Sequence, residues 1–256
     1  MFWRQTMQSQ FSRSEMLFGS GSIERLAACR IAIFGIGGVG GYVVEALSRS
    51  GIGTLDLIDD DRVALSNLNR QIIALHSTLG QRKVDVAEAR CRDINPDIII
   101  NKFAVFYTPQ TSSCFDFRNY DYVVDCIDTV TGKIQLILQA QQSGTPVISS
   151  MGAGNKMDPS LFRIADIYET SVDPLARVMR HELKKRGVPR LKVVYSTEPP
   201  LSVQLQEHYD DSLPDSESRP GNPKRCFPGS NAFVPASAGL LIASEIIKDL
   251  LLSSQR

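Results

Sequence analysis

Short apolar runs alternate with segments of helical spacing from residue 31 onward. Runs of strand length occupy residues 31–34, 55–58, 98–100, 122–126 and 147–150. Segments whose apolar positions recur every three or four residues, as in helices packed on one side, occupy residues 39–47, 82–94 and 133–141. This alternation predicts an α/β fold of Rossmann-like type, with a largely parallel sheet and helices on both faces.

The pattern changes after residue 151. A strand is predicted at 162–167, and a helix is predicted to begin at Asp173, where Asp can act as an N-cap and the following proline suits the first turn. Another strand is predicted at 192–195, and an amphipathic helix at 238–252. These elements predict a smaller C-terminal extension of mixed character.

We therefore expect three parts: an N-terminal helical arm (1–30), a Rossmann-like region (31–150) and the extension (151–256). Within the extension, residues 198–229 are rich in Pro, Ser, Asp and Glu. Such a composition cannot form a core, so this segment is predicted to be a mobile loop. The helix at 238–252 would follow it.

A glycine-rich turn links the first strand to the first helix. Its glycines are Gly35, Gly37, Gly38 and Gly40. Glycines let a backbone approach a phosphate, and the helix N-terminus adds N–H donors and the positive end of a dipole. Asp59 ends the second strand roughly 20 residues later, where a carboxylate can accept hydrogen bonds from ribose hydroxyls. This pattern alone predicts a nucleotide site and fits NAD as well as ATP.

Polar residues after Asp59 favour ATP. Arg70 can bind phosphate oxygens through two parallel N–H donors, Lys83 can act as a point charge, and Asn67 can hold the ribose or a phosphate. Each of these residues alone would be an ordinary surface residue. Their joint spacing predicts a site for a triphosphate, since a nicotinamide pocket needs few cations.

Asp128 follows the predicted strand 122–126. Ligands of such folds bind at the carboxyl ends of the strands, and a carboxylate there can hold Mg²⁺ against phosphates. The alternative role for Asp128 is the N-cap of the next helix, and the two roles are compatible.

Composition and charge limit the classes of function. The chain has 28 Lys and Arg against 28 Asp and Glu, so binding of a polyanion would require a local cluster of cations. Its 5 cysteines contain no Cys-x-x-Cys pair, which predicts no zinc site and a reducing compartment. With no apolar signal-peptide core and no stretch long enough for a membrane helix, we expect a soluble, cytoplasmic protein without a membrane span.

One local cluster of cations does occur. Seven residues between positions 177 and 192 are basic, and only Glu182 opposes them. They are Arg177, Arg180, Lys184, Lys185, Arg186, Arg190 and Lys192. Such a patch can neutralise the phosphates of a folded RNA, and its ordinary alternative is a solvated helix face. Cys226 also lies beside two cations, which can lower the pKa of a thiol and make it reactive, but an incidental cysteine in a tolerant loop is the favoured interpretation.

The motifs G-I-G-G-V-G, L-I-D-D-D, S-N-L-N-R-Q, G-Q-R-K-V and D-C-I-D together resemble the ubiquitin-activating-enzyme-like family. Its bacterial members adenylate the carboxyl ends of sulfur-carrier proteins. The resemblance implies that Asp59 holds the ribose and that Asp128 holds magnesium. It assigns the phosphates to Asn67, Arg70 and Lys83. It further implies a homodimer in which Arg13, in F-S-R-S-E-M-L-F-G, serves the partner subunit's site.

The second half of the chain sharpens the resemblance. The runs M-G-A-G-N-K-M-D-P-S and L-K-V-V-Y-S-T-E are similar to the branch of this family that acts on threonylcarbamoyladenosine in tRNA. That branch implies ATP and Mg²⁺ as cofactors and tRNA, not DNA, as partner. Its reaction activates the substrate carboxylate and closes it into a ring, with loss of water. A monovalent cation and a sulfur-transfer partner stay open.

Three other functions remain as alternatives from the sequence. The first is adenylation of the Gly-Gly end of a sulfur-carrier protein. The second is a nicotinamide-dependent dehydrogenase, which the set Arg70, Lys83 and Asp128 disfavours. The third is a binding scaffold without turnover.

Overall fold

The computed structural model of the chain describes residues 9–202 and 228–252. In these two stretches the α-helices are α1 (Ser12–Phe18), α2 (Ser22–Ala27), α3 (Gly40–Arg49), α4 (Lys83–Ile94), α5 (Val130–Ser143), α6 (Pro174–Lys185) and α7 (Val234–Leu252). The strands are β1 (Arg30–Phe34), β2 (Thr54–Ile58), β3 (Ile99–Phe103), β4 (Tyr122–Asp125), β5 (Val147–Ser150), β6 (Phe162–Asp166) and β7 (Lys192–Ser196). Most of the predicted mobile loop, including Cys226, lies outside the described residues, as do residues 1–8.

All seven strands form one sheet in the order β3-β2-β1-β4-β5-β7-β6. Every neighbouring pair is parallel except β6 and β7, which are antiparallel. The strand order reverses between β1 and β4, so the crevice where such folds bind ligands lies at the carboxyl ends of these two strands. The predicted α/β fold is confirmed.

The C-terminal extension continues the same sheet. Strand β7 pairs with β5, with Val194 beside Ser150, and β6 closes the edge. Helix α7 packs closely on α3, because a Cβ at Gly239 would overlap the carbonyl oxygen of Val39. Ile242 of α7 and Val194 belong to the same buried cluster as the residues of β1 and α3. Strands β1–β7 therefore share one core, and the extension is not a separate body.

The two faces of the sheet carry different helices. Helices α3, α4 and α7 cover one face, whereas α5 and α6 cover the other. Successive residues of β7 show this division, because Val193 belongs to the same buried cluster as Met179 of α6, and Val194 belongs to the same buried cluster as Ile242 of α7. Side chains two residues apart on a strand share a face.

Side-chain caps define two of the helix starts. The Asp173 carboxylate accepts the backbone N–H of Ala176 at 2.9 Å, so the predicted N-cap of α6 is confirmed. The Asn231 side chain accepts the N–H of Val234 at 2.9 Å, and α7 accordingly begins four residues before its predicted start at 238. The spacing of apolar residues did not reveal this first turn, because its start is set by the Asn231 side chain and not by apolar positions.

Candidate nucleotide-binding site

The glycine turn after β1 packs closely at the carboxyl edge of the sheet. Gly35 has φ +90°, and a Cβ there would lie 2.6 Å from the carbonyl oxygen of Cys126. A Cβ at Gly40 would overlap the Gly35 carbonyl oxygen. These two glycines are therefore required by the fold itself. At Gly37, by contrast, the nearest atom to an added Cβ would be Gln71 Nε2 at 3.9 Å, so this side of the turn leaves room for a bound group.

Asp59 links the glycine turn to the end of β2 by a hydrogen bond. Its Oδ2 accepts the backbone N–H of Ile36 at 2.6 Å, and its Oδ1 accepts the N–H of Asp61 at 2.9 Å. Burial raises the pKa of Asp59, while the nearby Lys83 ammonium opposes that shift. The residue predicted to hold the ribose thus also organises the loop that would surround the nucleotide.

Lys83 opens α4 beside the same carboxylates. Its Nζ forms an ion pair with Asp61 Oδ2 at 2.8 Å, and its side chain is only 4% exposed. The backbone supports this position, because the Lys83 N–H donates to the Asp61 carbonyl at 3.0 Å. The structure therefore brings Asp59, Asp61 and Lys83 together at one end of β2.

Arg70 lies over the glycine turn. The atoms Cγ and Cδ of Arg70 would be 3.5 and 3.7 Å from a Cβ at Gly38. Its Nη1 donates to the Ser66 carbonyl at 2.8 Å and to Asn69 Oδ1 at 3.0 Å. The Ser66 carbonyl and Asn69 Oδ1 thus orient the guanidinium of Arg70, whose side chain lies beside Gly38.

Asn67 has a structural role that the sequence did not indicate. It is fully buried, and its Oδ1 accepts the backbone N–H of Ala64 at 3.1 Å. Its carbonyl accepts the N–H groups of Arg70 and Gln71 at 3.1 and 2.9 Å. Asn67 therefore shapes the loop that carries Arg70. A phosphate or ribose contact by Asn67 stays a prediction.

Asp128 is exposed three residues beyond the end of β4. The glycine turn packs on the backbone at Cys126, which brings the loop bearing Asp128 alongside Gly35. The alternative role of Asp128 as the N-cap of α5 is wrong, because Thr129 occupies that position. Asp128 therefore lies one residue before the N-cap and two residues before the first residue of α5.

The structure separates Arg13 from the other predicted site residues of the same chain. Arg13 is exposed on α1, which is anchored at the amino ends of the strands. The Phe11 ring lies 3.7 Å from the Cβ position of Gly51, just before β2, and Gln10 Nε2 donates to Asn95 at 3.4 Å, just before β3. The glycine turn lies at the opposite, carboxyl edge. Arg13 would have to reach a site in another chain.

The cations of α6 differ in their partners. Glu182 forms ion pairs with Lys185 at 3.2 Å and with Arg186 at 2.6 Å. Arg180 is partly buried and donates to the Thr170 carbonyl at 2.8 Å. Within the predicted cluster, the exposed cations whose side chains show no ion pair or hydrogen bond among the described residues are Arg177, Lys184 and Arg190.

Lys192 does not belong to this patch. It faces α7, on the side of the sheet opposite α6, where its Nζ pairs with Glu245 at 2.9 Å and Asp249 at 2.7 Å. Glu182 is the only acidic residue of the segment 177–192, but in the folded chain Glu245 and Asp249 also oppose one of its cations. Counting charges along the sequence missed this, because successive residues of a strand point to opposite faces.

Two buried groups at the site were not predicted. Lys133 of α5 and Asp125 of β4 form a fully buried ion pair at 3.0 Å. Gln71 is 5% exposed, and its Oε1 has no hydrogen-bond partner among the described residues. Their positions in the sequence could have pointed to them. Asp125 ends a strand at the carboxyl edge, and Gln71 directly follows Arg70.

The three carboxylates of Asp59, Asp60 and Asp61 lie within 4.8 Å of one another. Lys83 already neutralises part of this charge through Asp61. Burial raises the pKa of the Cys126 thiol, near the glycine turn, to about 12, which favours its protonated form. In the part of the chain that the structure describes, no helix has the length and apolar character needed to span a bilayer.

Known proteins resemble this chain along nearly its full length. The model of the ThiF family matches residues 11–255. The tRNA threonylcarbamoyladenosine dehydratase of Bacillus subtilis is 42% identical over 96% of both chains, and that of Escherichia coli is 33% identical over 99% of this chain and 96% of the relative. The crystal structure of the E. coli enzyme in complex with ATP is 32% identical, with a TM-score of 0.83 and 96% of each chain covered.

Proposed function

Because this chain belongs to the ThiF family, we propose that it uses ATP to adenylate the carboxylate of threonylcarbamoyladenosine in tRNA and then closes the activated group into a ring. The net change in the nucleoside is the loss of one water. The observation that carries the proposal is a site of the required chemistry at the carboxyl edge of β1, β2 and β4, in a chain similar over its length to dehydratases of this nucleoside.

ATP would lie across the glycine turn. The open side of Gly37 would admit the phosphates, and Asp59 stands at the end of β2, where a ribose would be bound. Arg70 lies over the turn, and Lys83, paired with Asp61, lies near Asp59 at the end of β2. Asn67 holds the loop of Arg70 in shape. These cations would stabilise the charge that grows on the phosphates as the bond to pyrophosphate breaks.

Mg²⁺ suits the donors near Asp128. A single exposed carboxylate, completed by phosphate oxygens and water, is the oxygen set that this cation prefers. Bound there, the ion would neutralise phosphate charge and orient the α-phosphorus. The cluster Asp59–Asp61 fits less well, since Lys83 already occupies one of its carboxylates.

The chemistry needs no nucleophile from the protein. An oxygen of the threonine carboxylate attacks the α-phosphorus of ATP, and the bond from that phosphorus to pyrophosphate breaks. A nucleophilic atom of the modified nucleoside then attacks the activated carbonyl carbon. The carbonyl–oxygen bond breaks, and AMP departs with that oxygen. Positioning and charge neutralisation account for most of the catalysis in such a reaction.

The tRNA would contact α6. Arg177, Lys184 and Arg190 are exposed cations on this helix and on the turn after it, and they can neutralise backbone phosphates. Lys185 and Arg186 share Glu182 and would contribute less. Lys192 is engaged on the other face of the sheet, so we leave it out of the proposed interface.

A homodimer would complete each site. Helix α1 lies at the amino edge of its own sheet, so Arg13 could assist catalysis only in the site of a partner subunit. The enzyme would act in the cytoplasm, where its tRNA substrate is found. The sulfur-carrier alternative is not favoured, because the relatives matched along the full chain are named for the tRNA reaction.

The test is to incubate the purified protein with ATP, Mg²⁺ and tRNA that carries threonylcarbamoyladenosine, then to digest the tRNA and weigh its nucleosides by mass spectrometry. The proposal expects a product lighter by one water, formed only with ATP. A nucleoside of unchanged mass would overturn it. A parallel reaction with a carrier protein ending in Gly-Gly would reveal the alternative as an adenylated C-terminus.

A further inference from the structure

A buried lysine lies directly behind the loop of Asp128. Lys133 is 1% exposed, and its Nζ lies 3.0 Å from Asp125 Oδ2, 2.7 Å from the Ser150 carbonyl and 3.4 Å from Ser149 Oγ. It therefore connects α5 with the carboxyl ends of β4 and β5. None of the catalytic steps described above uses this ammonium.

The partner carboxylate controls the loop that follows β4. Asp125 is fully buried, and its Oδ1 accepts the backbone N–H of Ile127 at 3.1 Å. Its Oδ2 accepts the Ser149 hydroxyl at 2.5 Å in addition to Lys133. Ile127 immediately precedes Asp128, so the buried pair fixes the backbone from which the Asp128 carboxylate projects.

The same loop contacts the glycine turn. The carbonyl of Cys126, between Asp125 and Ile127, is the atom that a Cβ at Gly35 would meet at 2.6 Å. A shift of the loop would therefore change the distance between Asp128 and the turn over which the phosphates would lie. Because interiors are tightly packed, such a shift has little room to be absorbed elsewhere.

Stability alone does not explain the pair. Removing two charges from water is unfavourable, and well-packed apolar residues of similar volume often do as well or better. A buried ion pair at the reacting edge of the sheet is better explained by orientation, as with the outer partners that hold metal ligands in place.

We propose that Lys133 is a positioning residue for Asp128, acting through Asp125 and the N–H of Ile127. Lys133 is buried among Asp125, Ser149 and Ser150, so in this role it would act on the metal only through the loop of Asp128. The inference rests on the proposed function, since it takes Asp128 to be the metal ligand.

The experiment measures metal affinity as well as turnover. Mn²⁺ is titrated into the protein bound to a non-hydrolysable ATP analogue and followed by electron paramagnetic resonance. The variants are Lys133→Met, the double variant Lys133→Met with Asp125→Asn, and Asp128→Ala. The control is Arg30→Met, which removes the partner of another buried carboxylate, Asp56, at 2.7 Å near the amino edge of the sheet.

We expect both Lys133 variants to bind Mn²⁺ about 10- to 100-fold more weakly, the range for outer partners of metal ligands. Their affinity for the analogue without metal should be unchanged. Their kcat should fall at saturating ATP and recover in part at high Mg²⁺. Arg30→Met should lower the Tm and leave the metal affinity as in the wild type. Lys133→Met alone leaves the Asp125 carboxylate buried without its partner and could fail to fold. The double variant leaves no unpaired buried charge, so its metal affinity then tests the positioning role.

The outcomes separate the inference from the function on which it rests. If Asp128→Ala loses Mn²⁺ but both Lys133 variants bind it as the wild type does, the positioning role is wrong and the proposed function stands. If Asp128→Ala binds Mn²⁺ normally, the metal assignment fails, and the inference fails with it. Weakening in Arg30→Met equal to that in the Lys133 variants would also overturn the inference.

Discussion

The carboxylate of Asp59 accepts the backbone N–H of Ile36 at 2.6 Å, which joins the end of β2 to the glycine turn after β1. The other oxygen of Asp59 accepts the N–H of Asp61, whose own carboxylate holds Lys83. One side chain thus connects the turn with the loop whose Asp61 carboxylate holds Lys83. The predicted ribose ligand and the predicted phosphate ligand are parts of a single hydrogen-bonded unit.

This link predicts the effect of Asp59→Ala. The variant loses two hydrogen bonds to backbone N–H groups, so its free energy of unfolding should fall by about 1–3 kcal/mol, and its affinity for ATP should fall as well. Calorimetric ATP titration and thermal unfolding measure the two effects. Asp59→Asn keeps one acceptor oxygen and should lie between the two proteins. An alanine variant that binds ATP as tightly as the wild type would exclude the proposed role.

Burial raises the pKa of Asp59 above its usual value of 3.8, which predicts a pH dependence of stability. The folded state then holds this proton more tightly than the unfolded state, so folding stability gained from Asp59 grows as the pH falls through the raised pKa toward 3.8. The wild type should therefore gain stability relative to Asp59→Asn as the pH is lowered. Urea unfolding of both proteins across this range measures the difference. A difference that is constant with pH would contradict the shift.

Two glycines of the same turn should respond differently to alanine. Gly40→Ala places a Cβ against the Gly35 carbonyl oxygen, so it should destabilise the fold by about 1–3 kcal/mol or prevent folding. Gly37→Ala meets nothing closer than 3.9 Å and should keep its Tm. Its methyl group would occupy the open side of the turn, so ATP binding should weaken. Normal ATP affinity in a folded Gly37→Ala protein would place the phosphates elsewhere.

The basic residues of α6 and of the turn after it should contribute to tRNA affinity most where their side chains have no ion pair within the protein. The triple variant Arg177→Ala, Lys184→Ala, Arg190→Ala should weaken tRNA binding and reduce the slope of log affinity against log salt by up to about 3, or 1 per lost phosphate contact. The matched control is Lys192→Met, which should lower the Tm through the loss of the contacts to Glu245 and Asp249. That control should leave tRNA affinity unchanged. Weaker tRNA binding in Lys192→Met than in the triple variant would place the tRNA interface on the face of the sheet that α7 covers.

A shared site predicts complementation between two inactive variants. Arg13→Ala and Asp128→Ala should each be inactive alone. After mixing and exchange of subunits, activity should return to about one quarter of the wild type, because half of the dimers would be mixed and each would hold one complete site of two. Cyclised nucleoside per minute is the readout. Lack of recovery despite demonstrated subunit exchange would show that Arg13 does not act across the dimer.

Much of the fold could be predicted from the sequence, because each buried strand is an apolar run. The core residues of β1, β2, β4 and β5 lie within the predicted runs, and the alternation with helices gave their parallel arrangement. The glycine turn and Asp59 could also be placed, since the position of a turn at a strand end is a local property.

The rest depended on contacts between distant parts of the chain. Lys192 was grouped with α6 because it is near in sequence, although Glu245 and Asp249 hold it on the other face of the sheet. Lys133 looks like an ordinary polar position of a helix until β4 and β5 bring Asp125 and Ser150 to it. Periodicity cannot detect such partners, because they are set by the packing of the sheet.

The central claim is that ATP activates the substrate carboxylate by adenylation, and isotope transfer tests it most directly. The threonine carboxylate of the modified tRNA is labelled with ¹⁸O at both oxygens, and the wild-type protein is given ATP and Mg²⁺. The account predicts that each cyclised nucleoside yields one AMP carrying one ¹⁸O on its phosphate, together with unlabelled pyrophosphate. Label found in orthophosphate with ADP as the other product, or AMP without label, would contradict it.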